Sequence, residues 1–143
     1  MFGYLDIWRE ARALPLRLTG RDLVWVLRHV DEAAPQSPPA DAPSVDTIER
    51  WIRRATKGPW LMRKRRCMRH GILAYRFLRR AGHAPVMKFS VDPASVDAPS
   101  LGAHCWVEVD GRSVVNGDLP NHVTILTHSP DHPAAGFANG LTK

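Results

Sequence analysis

Hydrophobic residues in the first half of this chain recur at helical spacing, and in the second half they alternate. Leu23, Val26, Leu27 and Val30 stand at i, i+3, i+4 and i+7, which predicts an amphipathic helix over residues 20–30. Thr19, with Asp22 three residues on, has the form of a capping box at its start. The segment around Leu5 and Trp8 is a further helical stretch, stopped at Pro15. Ile48, Trp51, Ile52 and Ala55 make the apolar face of another helix, opened by Asp46 with Glu49 and closed by Gly58-Pro59. A fourth, over residues 66–81, carries Ile72, Leu73, Phe77 and Leu78 on its apolar face and meets a stop at Gly82.

Beyond Gly82 the period changes. "APVMKFSV" (84–91) and "AHCWVEV" (103–109) read as strands around a loop, 92–102. Asp110-Gly111 is the preferred two-residue hairpin turn, so "RSVVN" returns antiparallel to the strand before it. Helices followed by a small antiparallel sheet make an α+β fold, with N-terminal helices packed on the sheet. "AAPQSPPADAPS" (33–44) cannot continue a helix and is expected to be a mobile surface linker. A single domain over 1–128 is expected, with a loosely ordered tail over 129–143.

Composition narrows the class. The chain has 143 residues, 44% of them hydrophobic, enough for one core. No apolar run approaches the roughly 20 residues of a membrane span or the 7–15 of a signal-peptide core, so a cytoplasmic protein without a membrane partner is expected. Cys67 and Cys105 are then read as thiols rather than a disulfide, because the cytosol keeps thiols reduced. The net charge is +6, and Arg50, Arg53, Arg54, Lys57, Arg63, Lys64, Arg65, Arg66 and Arg69 concentrate the excess. Such a run attracts nucleic acid or an acidic partner.

Three residues could form one catalytic site. Cys67 falls in the first turn of the fourth helix, where unpaired N–H groups, the helix dipole and neighbouring cations favour thiolate. His104 and Cys105 are adjacent on a strand and so point to opposite faces. Val107 and Val109 share the face of Cys105, which makes that the packed side and leaves His104, with Trp106, for the site. Asp118 follows the hairpin, within reach of the imidazole, and Asn116 competes with it. A thiolate nucleophile, an imidazole and a group that orients the imidazole are what cysteine-based acyl transfer needs.

Two other uses of these residues compete with this one. Cys67 and His70, at i, i+3, could begin a zinc set with His104 or Cys105 and His122 or His128. Adjacent strand positions do not both ligate easily and there is no CxxC pair, so no metal is expected; His70 and His83 read as solvated helix-end residues. A non-catalytic module could bind nucleic acid through the basic run, with Trp51 and Trp60 stacking on bases. Trp51, however, lies on an apolar helix face, which argues against nucleic acid.

"RRCMRHGILAYRFLRRAGHAPVMKFSV" and "AHCWVEVDGRSVVNGD" together resemble the lasso-peptide leader peptidases, the microcin-processing proteins of the transglutaminase-like superfamily. The resemblance covers residues 63–118 and implies a transglutaminase-like, papain-like fold. It implies a cysteine peptidase that removes the leader from a ribosomally made precursor, with Cys67 as nucleophile, His104 as general base and acid, and Asp118 as the orienting carboxylate. It also implies a separate leader-recognition protein and an ATP-dependent cyclase as partners, and no cofactor. Cys105 departs from the alanine usual after the histidine, and Met68 from the leucine usual after the cysteine. Arg63, Lys64, Arg65 and Arg66, with Trp60 and Trp106, are the candidate docking residues for an acidic leader or its recognition protein. An acyltransferase using an amine in place of water is the alternative with the same site.

Overall fold

A computed structural model describes residues 1–57 and 66–134. Four helices precede four strands: α1 (Tyr4–Leu18), α2 (Leu23–Glu32), α3 (Val45–Ala55), α4 (Arg66–Arg80), β1 (Val86–Val91), β2 (Ala103–Val109), β3 (Arg112–Val115) and β4 (Val123–His128). The strands form one antiparallel sheet in the order β3-β2-β1-β4, and the fold is α+β. Gly58-Pro59, Trp60, Arg63, Lys64 and Arg65, and the tail from residue 135, lie outside the described residues.

α4 is the centre of the molecule because nearly every side of it is apolar. Gly71, Ile72, Leu73, Ala74, Tyr75, Phe77 and Leu78 are all buried, and α4 touches α1, α2, α3 and strands β1, β2 and β3. Full burial of each large apolar side chain contributes about 1.5–3 kcal/mol, so this helix anchors the core. Its C-terminus is closed by Gly82 at φ 84, with His83 N–H on the Leu78 carbonyl and Gly82 N–H on that of Arg79, both 3.0 Å. That is a Schellman turn, which needs the left-handed residue that glycine supplies. Pro38 lies directly against Gly82, where a Cβ would come within 2.6 Å of it, and His83 Nε2 donates to the Pro43 carbonyl at 3.2 Å. The segment between α2 and α3 is therefore tied to the end of α4 at two points.

Several helix boundaries differ from the sequence expectation. α1 runs through Pro15 to Leu18; burial of Ala11 and Leu14 beside the proline holds the turn, and Thr19 Oγ donates to the Pro15 carbonyl at 2.9 Å. Thr19 thus closes α1 and does not cap α2, which begins after Gly20 at φ 69 and an Asp22 whose side chain makes no capping bond. Ser44 caps α3 by accepting the Thr47 N–H at 3.2 Å, while Asp46 pairs with Arg112 and Glu49 with Arg53, both at 2.8 Å. His70 is also not solvated: it is 9% exposed, on the packed side of α4.

The hairpin turns as its residues require, with Asp110 at φ 52 and Gly111 at φ 75. β4 is the strand that the alternation of the sequence conceals. A register shift opposite Phe89 and Ser90 inserts Ile125 as an extra residue, so Val123 and Ile125 are 53% and 44% exposed while Leu126 and His128 are buried. A bulge of this kind destroys period two.

β4 is fastened to the helices by a buried polar network. Asp31 of α2 accepts from Tyr75 Oη at 2.8 Å, Arg79 Nε at 2.8 Å and His128 Nε2 at 2.8 Å. Ala134 N–H donates to His128 Nδ1 at 3.0 Å, which places the imidazole proton on Nε2. Burial works to raise the Asp31 carboxyl, but the donors His128, Tyr75 and Arg79 outweigh it and hold the group below the ordinary carboxylate range. Its stabilisation is therefore present above about pH 4 and is lost as pH falls through its lower folded value. Asp31→Ala, which leaves three donors without their acceptor, is expected to cost about 3–5 kcal/mol at pH 7 by urea unfolding. An unchanged midpoint would show that the network does not hold β4.

Candidate active site

The site forms where strand β2 outlasts its neighbour. β3 pairs with β2 from Val109↔Arg112 to Val107↔Val115 and then ends, so the backbone of Cys105 has no strand partner on that side. In an antiparallel strand the N–H and C=O of one residue point the same way. Here both are taken up by the structure that arrives at the open edge. The Cys105 N–H helps to lower the Cys67 thiol, and the Cys105 carbonyl accepts from Asn116 Nδ2 at 3.1 Å.

Asn116 is the residue at which the chain leaves β3. It adopts φ 55, a left-handed conformation that asparagine tolerates better than most residues. This turn swings its amide back beneath β2, where the same Nδ2 also donates to the Cys67 carbonyl at 2.9 Å. His70, one turn along α4, is buried beside it, and its Nε2 has no hydrogen-bond partner among the described residues. One amide therefore joins the start of α4 to the edge of β2.

Cys67 is the second residue of α4 and is half-buried. Its thiol is lowered to about 5, first by a hydrogen bond from the Cys105 thiol, then by the N–H groups of Cys105 and Met68 and the charge of His104; burial opposes these and loses. The Cys105 thiol is correspondingly pushed up, by the Cys67 sulfur beside it and by burial. Cys67 is thus the member of the pair that ionises. Arg66, the described member of the basic run before it, has an exposed side chain.

Cys105 packs in the core, on the face opposite to His104, as expected, yet its thiol also neighbours the Cys67 sulfur. The Asn116 amide, bonded to both the Cys67 and the Cys105 carbonyls, brings the start of α4 to the edge of β2. Side chains from both faces flank it. Cys105 approaches from the α4 side, where Gly71 keeps the helix close: a Cβ there would lie 2.9 Å from Met87 Cε and 3.3 Å from Cys105 Sγ. His104 approaches from the opposite face.

His104 is held by its ring and by one nitrogen. Its ring stacks on Trp106, with centroids 5.9 Å apart at 20°, and meets the edge of His122 at 6.3 Å. Trp106 is itself fixed by a 2.8 Å bond from Nε1 to Glu108, which pairs with Lys88 at 3.0 Å. At 2% exposure Trp106 is a platform under His104, with no surface to offer a partner. His104 Nε2 bonds the Gly117 carbonyl. A carbonyl only accepts, so the proton sits on Nε2 and Nδ1 carries the free lone pair. Asp118, next in the chain, is exposed and makes no hydrogen bond or ion pair among the described residues.

The zinc set is not brought together: no three His, Cys, Asp or Glu residues among those described could hold a metal ion. No described helix is long and apolar enough to cross a membrane. Trp51 packs against the core rather than offering a face to bases. The arrangement instead suits nucleophilic acyl transfer, with a thiolate at a helix start, backbone N–H groups around it and an imidazole whose tautomer is set.

A family model described as the transglutaminase-like superfamily matches residues 10–128. No curated protein and no solved structure matches the chain.

Iodoacetamide is expected to label Cys67 fully at pH 6–7 and to lose rate as pH falls through about 5, while Cys105 stays unlabelled in the folded protein. Peptide mass spectrometry locates the label. A Cys67 profile centred near pH 8.5, the ordinary thiol value, would show that the donors around the sulfur do not activate it. His104→Ala is expected to move the profile upward.

Proposed function

The chain belongs to the transglutaminase-like superfamily, whose chemistry is cysteine-based acyl transfer to water or to an amine, and on that ground we propose that it is a cysteine peptidase acting on a peptide bond. The observation that carries this reading is the Cys67 sulfur, held at the first turn of α4 among the Cys105 thiol, two backbone N–H groups and the charge of His104. A buried structural thiol gathers no such set of donors.

In the proposed reaction Cys67 attacks the scissile carbonyl as thiolate. The oxyanion that forms is stabilised by amide N–H groups of the first turn of α4, which have no partner within the helix. His104 takes the Cys67 proton on Nδ1 as the thiolate forms, gives that proton to the leaving amine, then takes one from the water that hydrolyses the thioester. The Gly117 carbonyl keeps Nδ1 as the working nitrogen. Asp118 is proposed as a nearby negative charge that favours the imidazolium.

The substrate we propose is the leader segment of a ribosomally made lasso-type precursor. This rests on the likeness of "RRCMRHGILAYRFLRRAGHAPVMKFSV" and "AHCWVEVDGRSVVNGD" to the leader peptidases of that pathway. A separate recognition protein would present the leader, Arg63, Lys64, Arg65 and Arg66 would attract its acidic residues, and an ATP-dependent cyclase would act on the released core.

The direct test is to incubate the chain with a lasso-type precursor and its recognition protein and to follow leader release by mass spectrometry. Cys67→Ala is expected to lower the rate by at least about 10⁴-fold; cleavage that survives this change would sink the proposal, and an amine-linked product would move the assignment to acyltransferase.

Asn116 and Asp118 separate by rate. Asn116→Ala, which frees the start of α4 from β2, is expected to cost about 100-fold in kcat, the scale of a misplacement near 1 Å. Asp118→Asn is expected to cost no more than about 10-fold, because the Gly117 carbonyl still selects the tautomer. A loss near 10⁴-fold, typical when tautomer control goes, would show that the carboxylate itself orients His104.

A further inference from the structure

Cys105 is a second thiol in a site whose acyl transfer needs one. It is fully buried on the α4 side of β2, its sulfur against Gly71, and the Cys67 sulfur is near enough to push its thiol up. Nothing bulky lies between Cys105 and the first turns of α4, since the facing residue is Gly71. The Asn116 amide holds the backbones of both cysteines, at 2.9 Å and 3.1 Å, so the two sulfurs are kept together by a clamp independent of either thiol. Met68 on one side and Trp106 on the other follow them in sequence, and neither can compete for a cysteine's oxidised sulfur.

We infer that Cys67 and Cys105 form a reversible oxidation site, with a peroxide as oxidant, Cys67 as the residue oxidised first and Cys105 as the resolving thiol that closes a disulfide. The inference rests on Cys67 being the reactive thiol of the proposed peptidase. The Cys67 thiolate attacks one oxygen of hydrogen peroxide, the O–O bond breaks, and hydroxide leaves to be protonated to water. Cys67 is now a sulfenic acid. Cys105 attacks that sulfur, the S–O bond breaks, and the hydroxyl group leaves with the Cys105 proton as a second water. Two thiols have lost two electrons and two protons, and the peroxide has been reduced to two waters.

The order follows from the surroundings of the pair. Before oxidation Cys67 is the thiolate, the form that attacks peroxide; Cys105 is held protonated first by its hydrogen bond to that sulfur, then by burial and by the neighbouring charge. Once Cys67 is a neutral sulfenic acid, the charge is gone and only burial still restrains Cys105. Further oxidation needs a second peroxide molecule, whereas Cys105 is already beside the sulfenic sulfur, which favours disulfide closure. The oxidised pair cannot act as nucleophile, and an external thiol restores both residues.

The test treats the full chain with hydrogen peroxide at pH 7, digests it without reductant and looks for a peptide joining Cys67 to Cys105. Wild type is expected to lose two titratable thiols per chain, to yield the joined peptide, and to regain most of its iodoacetamide labelling at pH 6 after dithiothreitol. Cys105→Ser and Cys105→Ala are each expected to give sulfinic and sulfonic Cys67, with no recovery relative to their own untreated samples. Wild type that over-oxidises at Cys67 as fast as these variants, with no joined peptide, overturns the inference. Because the joined peptide is read without a cleavage assay, it is separable from the peptidase reading, which fails on its own if Cys67→Ala still releases leader.

Discussion

The hydrogen bonds from one amide nitrogen, Asn116 Nδ2 to the carbonyls of Cys67 and Cys105, decide the geometry of the whole site. They join the first turn of a helix to the exposed edge of the strand on which that helix packs. The Cys105 carbonyl, facing an edge without a strand partner, would be costly to bury unpaired, at about 1–3 kcal/mol, whereas the Cys67 carbonyl, already paired within the helix, offers its second lone pair. Satisfying them together places the Cys67 sulfur at the edge of β2. The donors around that sulfur follow from this placement, and so does the ability of residues on both faces of the strand to reach it.

α4 is then held at both ends by polar contacts and along its length by apolar ones. Near its C-terminal half, Tyr75 and Arg79 share the Asp31 carboxylate with His128 of β4, while the Schellman turn at Gly82 rests on Pro38. Between these, Ile72, Leu73, Phe77 and Leu78 fill the core. A helix so constrained has little freedom to slide over the sheet. A nucleophile at its first turn is thereby kept in register with a histidine carried by the sheet, and that histidine is kept in place by the stack on Trp106 and the bond to Gly117.

Much of this was legible in the amino-acid order. The apolar spacing of α2, α3 and α4 locates each helix, and Asp110-Gly111 specifies the hairpin, because these signals are local. The termini misled where the same residue type serves two ends: Thr19 looks like the start of α2 but closes α1, since a hydroxyl can reach back to Pro15 as easily as forward. β4 was hidden by the bulge at Ile125. Cys67, His104 and Asp118 were visible as residues suited to one chemistry, and His70 was misjudged because its helical position alone does not show that this part of α4 is buried.

What the sequence by itself determined is the set of elements and the chemical types available to the site, for both depend on residue identity and short spacing. What only the tertiary structure decided is which of those types share a site. Cys105, two positions before the buried Val107, reads from its strand as core filler; the early end of β3 makes its backbone and its thiol neighbours of Cys67. The Gly117 carbonyl has no signature at all in the sequence, because every residue carries one, and only the path of the chain after Asn116 brings this one to His104.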